Sequence, residues 1–363
     1  MPSATARHPN MNHQKLLSFV TALALCAPVF AQGEIDLKVT TKKGASVWLV
    51  EETKQSQVID MQGQEMETSQ VSTKFLQMTI KDVDDKGVMT VETKIVRISG
   101  SMGLPMGMGD MEFDSATPEA EEEEDDGMGM GAMMGSMKKA MMAGAGKTFT
   151  AKVDAKGKVV ELMDDAKELL KEGSGGSGRM MGGGQMTEES LKEVVSSAFG
   201  ELPEKPVAVG GKWERNETEA AGRMPSQNKF ELTLAKADAE SFEITVAGTV
   251  DKPATAADAA GDKIEGDDDQ AEMQREMMKS MKIKNGKITG SCRVSRTDGF
   301  VTEATNTVSM DIEMSAGPVG DMAMTMKVSK SLKRTTADAA APKKAEPKKD
   351  EAKPAAPTTG GGK

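Results

Sequence analysis

The feature that most constrains the fold is an alternation of apolar and polar residues that recurs along the chain. Residues 230–234 and 242–246 each place three apolar side chains on one face of an extended strand, and the short segment 237–241 joins them as a hairpin. The same pattern occurs over residues 76–80 and 89–95. A period of two is typical of half-buried strands, so the chain is predicted to be mainly β and antiparallel.

Short segments rich in Asp, Asn and Gly mark the turns between these strands. Asn285–Gly286 and Asp298–Gly299 are two-residue hairpin signals, because both members of each pair tolerate positive φ. Residues 82–87 superficially resemble the start of a calcium loop. Lys86 stands where an oxygen ligand belongs and the twelfth position is Thr93, so this segment is predicted to be a hairpin turn.

The chain repeats one order of features, which predicts an internal duplication. A glycine-led segment precedes Trp48 in the first copy and Trp213 in the second. In each copy a Lys-Phe pair then opens a hairpin, an acidic run and a Met-Met-x-Ser-Met-Lys segment follow, and two short strands come last. We therefore predict two similar curved-sheet lobes that face each other across a helix over residues 187–199, with a few short helices. Methionine-striped helices are expected to cover the sheet edges.

These features divide the chain into five parts. Thr187 caps the predicted central helix, and the last 29 residues are too poor in apolar bulk to order themselves. The predicted layout is a signal peptide at 1–31, a first lobe at 32–171 with an acidic, Met-rich insertion at 101–146, a Gly-rich linker and helix at 172–201, a second lobe at 202–334 with an acidic insertion at 251–280, and a disordered tail at 335–363.

The N-terminal segment has the pattern of a secretory signal. Lys15 precedes an apolar run over residues 16–25, and a small-residue cleavage site ends at Ala31. Met11 is an alternative start. The apolar run is too short for a stable membrane anchor, and no later stretch is long enough to span a bilayer. The sequence thus predicts a secreted or periplasmic protein.

Cleavage near Ala31 would remove both histidines, His8 and His13, together with Cys26. The remaining chain would have no histidine and one cysteine, Cys292, which excludes Ser-His-Asp and Cys-His catalysis, His-based metal sites and an intrachain disulfide. The formal net charge of −11 and the low aromatic content of 3% argue against nucleic acid as a partner.

Methionine is the compositional anomaly, since eleven of the 31 methionines fall between Met102 and Met142. Thioethers are soft ligands that select Cu(I), and closely spaced methionines can bring several sulfurs to one ion without histidine. Copper is therefore an alternative cofactor. The candidate ligands are Met102, Met106, Met108, Met111, Met128 and Met130.

Packing is the competing interpretation of the methionines. Residues 130–141 and 273–281 carry methionines at helical spacing, and Met322, Met324 and Met326 alternate with other residues in a predicted strand, as core residues do. Trp48 and Trp213 are interpreted as core anchors, and Cys292 as a buried structural thiol.

One segment points to a family. Residues 202–213 read Leu-Pro-x-x-Pro-Val-x-Val-Gly-x-x-Trp and precede a β meander. This order resembles an uncharacterised family of secreted bacterial β-rich proteins, a domain of unknown function, over roughly residues 34–334. The resemblance implies a secreted or periplasmic β protein, and it brings no catalytic residues with it.

The function expected from these patterns is non-enzymatic binding. Two curved lobes would enclose an apolar groove, which suits a lipid, a lipoprotein acyl chain or a protein partner in the cell envelope. Cu(I) binding by the Met-rich insertions is the alternative. A hydrolase that uses a pair of carboxyl groups stays a third hypothesis, which requires two carboxyls with perturbed pKa values in one pocket.

Overall fold

The computed structural model describes residues 33–61, 63–104, 109–117, 130–173, 187–219, 226–251, 280–315 and 321–341. Their strands are β1 Ser46–Met61, β2 Gln64–Val83, β3 Met89–Gly103, β4 Asp110–Asp114, β5 Thr148–Val153, β6 Val159–Leu162, β7 Lys212–Glu219, β8 Ser226–Ala237, β9 Ser241–Asp251, β10 Lys282–Ser295, β11 Val301–Ser315 and β12 Asp321–Arg334. Their helices are α1 Met130–Met141, α2 Asp164–Gly173, α3 Glu188–Ser196 and α4 Ala337–Ala340.

All of these strands belong to one antiparallel sheet. Its order is β6-β5-β3-β2-β1-β12-β11-β10-β9-β8-β7, and β4 pairs with the far end of β3. The mainly β, antiparallel prediction is confirmed, but the two predicted lobes are joined. The first strand pairs with the last, from Leu49 opposite Arg334 to Met61 opposite Met322, so the two halves form a continuous sheet. The internal duplication stays a prediction.

The sheet has two different ends. At one end, which we call the capped end, strands are joined by short turns over residues 84–88, 154–158, 238–240 and 296–300. At the other, which we call the open end, strands stop at residues such as Met61, Gly103, Asp251 and Ser315. The strand ends that border the connections 62–63, 104–109, 220–225, 252–281 and 316–320 all lie at the open end.

Residues 198–202 bridge the two halves of the curved sheet at the capped end. Leu202 N donates to Lys156 O of the β5–β6 turn at 3.1 Å, and Val301 N of β11 donates to Ala198 O at 2.7 Å. Phe199 stacks on Phe300, with 5.1 Å between ring centroids. Because β5 and β11 are five strands apart in the sheet order, the sheet must curve for one short segment to contact both.

The core lies on the inner side of this curve. Alternate residues of the strands point inward, and α3 places Leu191, Val194 and Val195 against them, as its helical spacing predicts. Thr187 caps α3 as predicted, since its hydroxyl accepts from Ser190 N at 3.1 Å. Residues 33–45, which we call the N-terminal strip, close the same end, because Val39 N donates to Ala155 O at 2.8 Å.

Most predicted turns are confirmed, and one is wrong. Residues 84–88, 238–240 and 296–300 are hairpin turns. Asn285–Gly286 instead forms an irregularity inside β10, where the register shifts between Lys284 and Lys287. Asn285 adopts φ 53°, and a Cβ on Gly286 would lie 2.5 Å from Val250 O. The residue types that favour a tight turn equally favour a bulge beside a close backbone neighbour.

Some residues of the predicted insertion and tail are ordered in the structure. Part of the insertion at 101–146 belongs to the sheet, because β4 pairs with β3. The tail predicted from Thr335 begins with ordered residues, since Thr335 N donates to Trp48 O at 2.9 Å and Ala340 is buried. The signal peptide at 1–31, most of the linker and of the 251–280 insertion, and the tail beyond residue 341 lie outside the described residues.

The two tryptophans differ in their surroundings. Trp213 is half-buried and packs against the main core. Trp48 is half-buried on the outer face, because its neighbours Val47 and Leu49 take the inward positions of β1. The prediction of two equivalent core anchors therefore holds for Trp213 alone.

Candidate functional site

A charged cluster lies in the middle of the inner face. Glu51 continues the inward phase of Val47 and Leu49 on β1, and its side chain is 2% exposed. Its carboxylate lies 2.9 Å from Lys330 Nζ of β12 and 3.3 Å from Lys74 Nζ of β2. Lys330 Nζ also lies 3.0 Å from Glu193 Oε1 of α3. We call Glu51, Lys74, Lys330 and Glu193 the Glu51 cluster; it ties α3 to the centre of the sheet.

Within the Glu51 cluster, the ion pair of Glu51 and Lys330 shifts the pKa values of both groups toward their charged forms. Burial alone would raise the pKa of Glu51, but the ammonium groups of Lys330 and Lys74 outweigh it and lower this pKa to about 2. The pKa of Lys330 is raised, because Glu51 and Glu193 outweigh the burial that would lower it. A carboxylate with so low a pKa stays ionised near neutrality, so Glu51 suits positioning and not acid-base chemistry.

A polar band separates the Glu51 cluster from the open end. Thr53, Gln55 and Gln57 follow Glu51 at the inward positions of β1. Gln57 Nε2 donates to Met324 Sδ at 2.8 Å. Asn306 of β11, directly opposite Lys330, has a buried side-chain oxygen without a hydrogen-bond partner.

Beyond this band, methionines dominate the inner face. On β1, Met61 lies opposite Met322 of β12, which lies opposite Met314 of β11. Met326 lies opposite Met310 in the same way. Met314 and Met324 are buried together with Met281 and Ile312, in a second apolar cluster separate from the main core. We call this surface the methionine face; its members are Met61, Met66, Met310, Met314, Met322, Met324 and Met326.

A cleft opens beside the methionine face at the rim of the open end. Its volume is about 560 Å³. Met314 and Met322 line one part of it, and acidic groups at outward positions of the strands line another. The remaining lining residues are Asp60, Gly63, Ser280, Lys282, Glu313, Asp321 and Ala323.

The structure brings two of the six predicted copper ligands together. Met102 of β3 lies directly opposite Met111 of β4 on the inner face, and Met111 is buried. Met130 begins α1, while Met106, Met108 and Met128 lie outside the described residues. The C-terminal part of the methionine stripe on α1 leads into Met141 and Met142, which pack against the main core.

Other groups with chemical potential have structural surroundings. Cys292 packs against the main core, and burial raises the pKa of its thiol to about 12, so it is not a ready nucleophile. Among the described residues, no three His, Cys, Asp or Glu side chains are arranged to hold a metal ion. None of the helices in the described ranges combines the length and apolar character needed to span a bilayer.

Sequence reasoning missed the Glu51 cluster and half of the methionine face. The signal for the cluster was present: Glu51 and Lys330 are charged residues at inward positions of alternating strands, next to Leu49 and Leu332. Met310 and Met314 likewise flank the inward Ile312. What the alternation does not show is which strands are neighbours, and only the β1–β12 pairing brings these residues together.

Comparison with known proteins gives a family but no function. A search of curated proteins finds no match. A solved structure of lipovitellin, described as showing lipid-protein interactions, is 7% identical with a TM-score of 0.36 and covers 82% of this chain. The alignment spans only 26% of the lipovitellin chain. DynF, from the dynemicin biosynthesis pathway of Micromonospora chersina, is 6% identical with a TM-score of 0.18, and 85% of this chain aligns with 90% of DynF.

The family model of DUF6263, a family of unknown function, matches residues 86–301. This match runs from the β2–β3 turn to the start of β11 and covers more than half of the chain. The resemblance to an uncharacterised family is thereby confirmed, and the chain belongs to the DUF6263 family.

Proposed function

We propose that this protein is a non-enzymatic binding protein that holds an apolar ligand of the acyl-chain type on the methionine face. The observation that carries the proposal is a difference between the two faces of the sheet at its open end: the inner face carries methionines, and the outer face is exposed. The signal-like pattern of residues 11–31 supports a site of action outside the cytoplasm, in the secreted or periplasmic fraction.

This difference between the faces continues beyond the main core, at the open end of β12. On β12, inward Met322 and Met326 are half-buried, and the intervening Ala323, Thr325 and Lys327 on the outer face are exposed. A sheet face that met only water would not need methionine at successive inward positions. Contiguous, partly exposed apolar surface of this kind marks interaction sites in soluble proteins.

The side chains of the methionine face suit a ligand without fixed shape. Methionine is unbranched and polarizable, so it adapts to irregular apolar surfaces. The adjacent cleft of about 560 Å³ lies within the range of roughly 300–1,000 Å³ that is typical of small-molecule sites. Its acidic rim and Lys282 would meet water or the polar end of a ligand.

The carboxyl groups support binding over catalysis. A general acid near neutral pH needs a raised pKa, as burial or a second carboxylate provides. Every described carboxyl group with a resolved pKa shift has a lowered pKa, because cations or backbone N–H groups stabilise the charged form; these groups are Asp36, Glu51, Asp114, Glu161, Asp238 and Asp298.

Placing a charge on the methionine face tests the proposal. Met326→Lys puts an ammonium group on the methionine face, directly opposite Met310, where an acyl chain would have to desolvate it. We expect the affinity for a fluorescent C16 fatty acid, measured by titration with the protein freed of lipid, to fall at least about tenfold, which corresponds to about 1.4 kcal/mol.

Thr325→Lys is the matched control, because Thr325 precedes Met326 and is exposed on the outer face. It should leave fatty-acid affinity unchanged. Met326→Leu should also keep the affinity, since volume-conserving apolar replacements are tolerated. Equal affinity of wild type and Met326→Lys, with unaltered thermal unfolding, would contradict the proposal, as would failure of the lipid-free wild type to bind the probe.

A further inference from the structure

The methionine face also carries a candidate metal site, for which the strand register gives separate evidence. Three of its members lie in one row across adjacent strands: Met61 of β1, Met322 of β12 and Met314 of β11. We propose that their thioethers form a Cu(I) site at the rim of the open end.

The register supplies the convergence that such a site needs. Met322 lies directly opposite Met61 on one side and Met314 on the other, without a register shift in either pairing. Directly opposite residues share a face, with about 4.5–5.5 Å between Cβ atoms. Each methionine has three rotatable side-chain bonds, so the three sulfurs can turn toward one ion above Met322.

The ligand chemistry selects the metal. Thioether sulfur is a soft, neutral donor that favours Cu(I) over the hard divalent cations. Clusters of His, Cys and carboxylate that would favour zinc or calcium are lacking in the part of the chain that the structure describes. An all-thioether row is therefore selective for a monovalent soft ion.

The surroundings of the methionine row leave it open to solvent on one side and shield it from water on the other. Met61 and Met322 are half-buried, so part of the row is open to solvent. Asp60 and Asp321 lie at outward positions of the same rim and attract cations to this end of the sheet, although Lys282 partly offsets them. Beneath the row, Ile312 and Met324 are buried and keep water from one side, which strengthens weak neutral ligands.

A variant that lacks the three sulfurs tests the proposed site. Met61→Leu/Met314→Leu/Met322→Leu removes all three thioethers and keeps an apolar row of similar volume. Competition for Cu(I) against a chromophoric chelator, under anaerobic reducing conditions, should show wild-type binding of one ion and a loss of at least about 100-fold in the triple variant. Thermal unfolding of both proteins should show that the triple variant keeps its fold, because the replacements conserve volume and apolar character.

Met102→Leu/Met111→Leu is the matched control, because these methionines form another cross-strand pair on the inner face. This variant should bind Cu(I) as the wild type does. Loss of Cu(I) binding in the control with retention in the triple variant would overturn the proposal and assign copper to the Met102–Met130 stretch. Failure of the wild type to compete would also overturn it. If the triple variant unfolds early, Met322→Leu alone should still lower Cu(I) affinity about tenfold.

Discussion

At the scale of single residues, Glu51 is the position where sequence and environment conflict most. A carboxylate normally avoids an apolar core, and Glu51 is tolerated because two ammonium groups lie within 3.3 Å of it. Such a pair adds little net stability over well-packed apolar residues, but removal of one partner leaves the other charge buried and unpaired. The Glu51 cluster is therefore sensitive to single substitutions.

Glu51→Gln should destabilise the protein by about 3 kcal/mol at pH 7, because it leaves Lys330 without its buried counterion. It should also change how the free energy of unfolding depends on pH below about 4.5. The folded-state pKa of about 2 lies below the ordinary value of 4.5, so ionised Glu51 contributes stability that is fully present above about pH 4.5 and is lost as the pH falls toward 2. Urea unfolding at several pH values measures both effects.

Glu52→Gln is the control for this prediction, because Glu52 is the next residue and its ion pair with Lys54 is largely exposed. It should change the free energy of unfolding by less than about 0.5 kcal/mol. If Glu51→Gln and the wild type lost stability in parallel between pH 4.5 and 2, the assigned pKa shift would be wrong.

At the scale of secondary-structure elements, the bridge over residues 198–202 depends on glycines. Gly157 has φ +84°, and a Cβ added to it would lie 2.5 Å from Gly200 O. Gly200 has φ +64° and lies against Val294 and Cys292. Both glycines therefore combine a left-handed backbone with a close approach, which only glycine satisfies without displacement of the backbone.

Gly157→Ala should destabilise the protein more than Gly44→Ala. Both positions have φ +84°, so each substitution incurs about 1–2 kcal/mol of left-handed backbone strain. Gly44 has open space where the methyl group would stand, whereas Gly157 has the carbonyl of Gly200. We expect the free energy of unfolding, from urea titration, to fall by about 1–3 kcal/mol more in Gly157→Ala. Equal losses of stability in the two variants would show that residues 198–202 accommodate the methyl group without destabilisation.

Sequence predicts elements better than it predicts their partners. The alternation identifies the inward residues of strands such as β8 and β9, and the Thr187 cap fixes the start of α3, because both signals are local. Asn285–Gly286 was predicted to form a turn and instead forms a bulge beside Val250. Sequence does not separate the two, because a tight turn and a bulge favour the same residue types. The methionine face and the Glu51 cluster depend on strand neighbours far apart in sequence, which periodicity cannot supply.

At the scale of the whole molecule, the pairing of β1 with β12 makes the two halves one structure. The main core includes inward residues from both, with Leu49 of β1 and Leu332 of β12 in contact with the same cluster as Phe149 and Phe230. Residues 198–202 also contact both halves at the capped end. Separate stability of the N-terminal and C-terminal halves is not expected from such an arrangement.

Thermal unfolding should accordingly show one cooperative transition for the sheet. Calorimetric and van't Hoff enthalpies should agree, and far-ultraviolet circular dichroism should change together with tryptophan fluorescence, although Trp48 and Trp213 lie in different halves. Gly157→Ala should lower the midpoint and keep a single transition. Two resolved transitions would support the two-lobe arrangement that the repeat predicted.

The two ends of the sheet also place different limits on change during evolution. The turn at 154–158 is held by hydrogen bonds to the N-terminal strip and to Leu202, so its length cannot vary without disturbance of the core. The connection 252–281 joins β9 and β10, whose ends lie at the opposite rim. It contains the acidic residues 267–269. Changes of length and charge in the open-end connections should therefore be tolerated better than changes of length in the turn at 154–158.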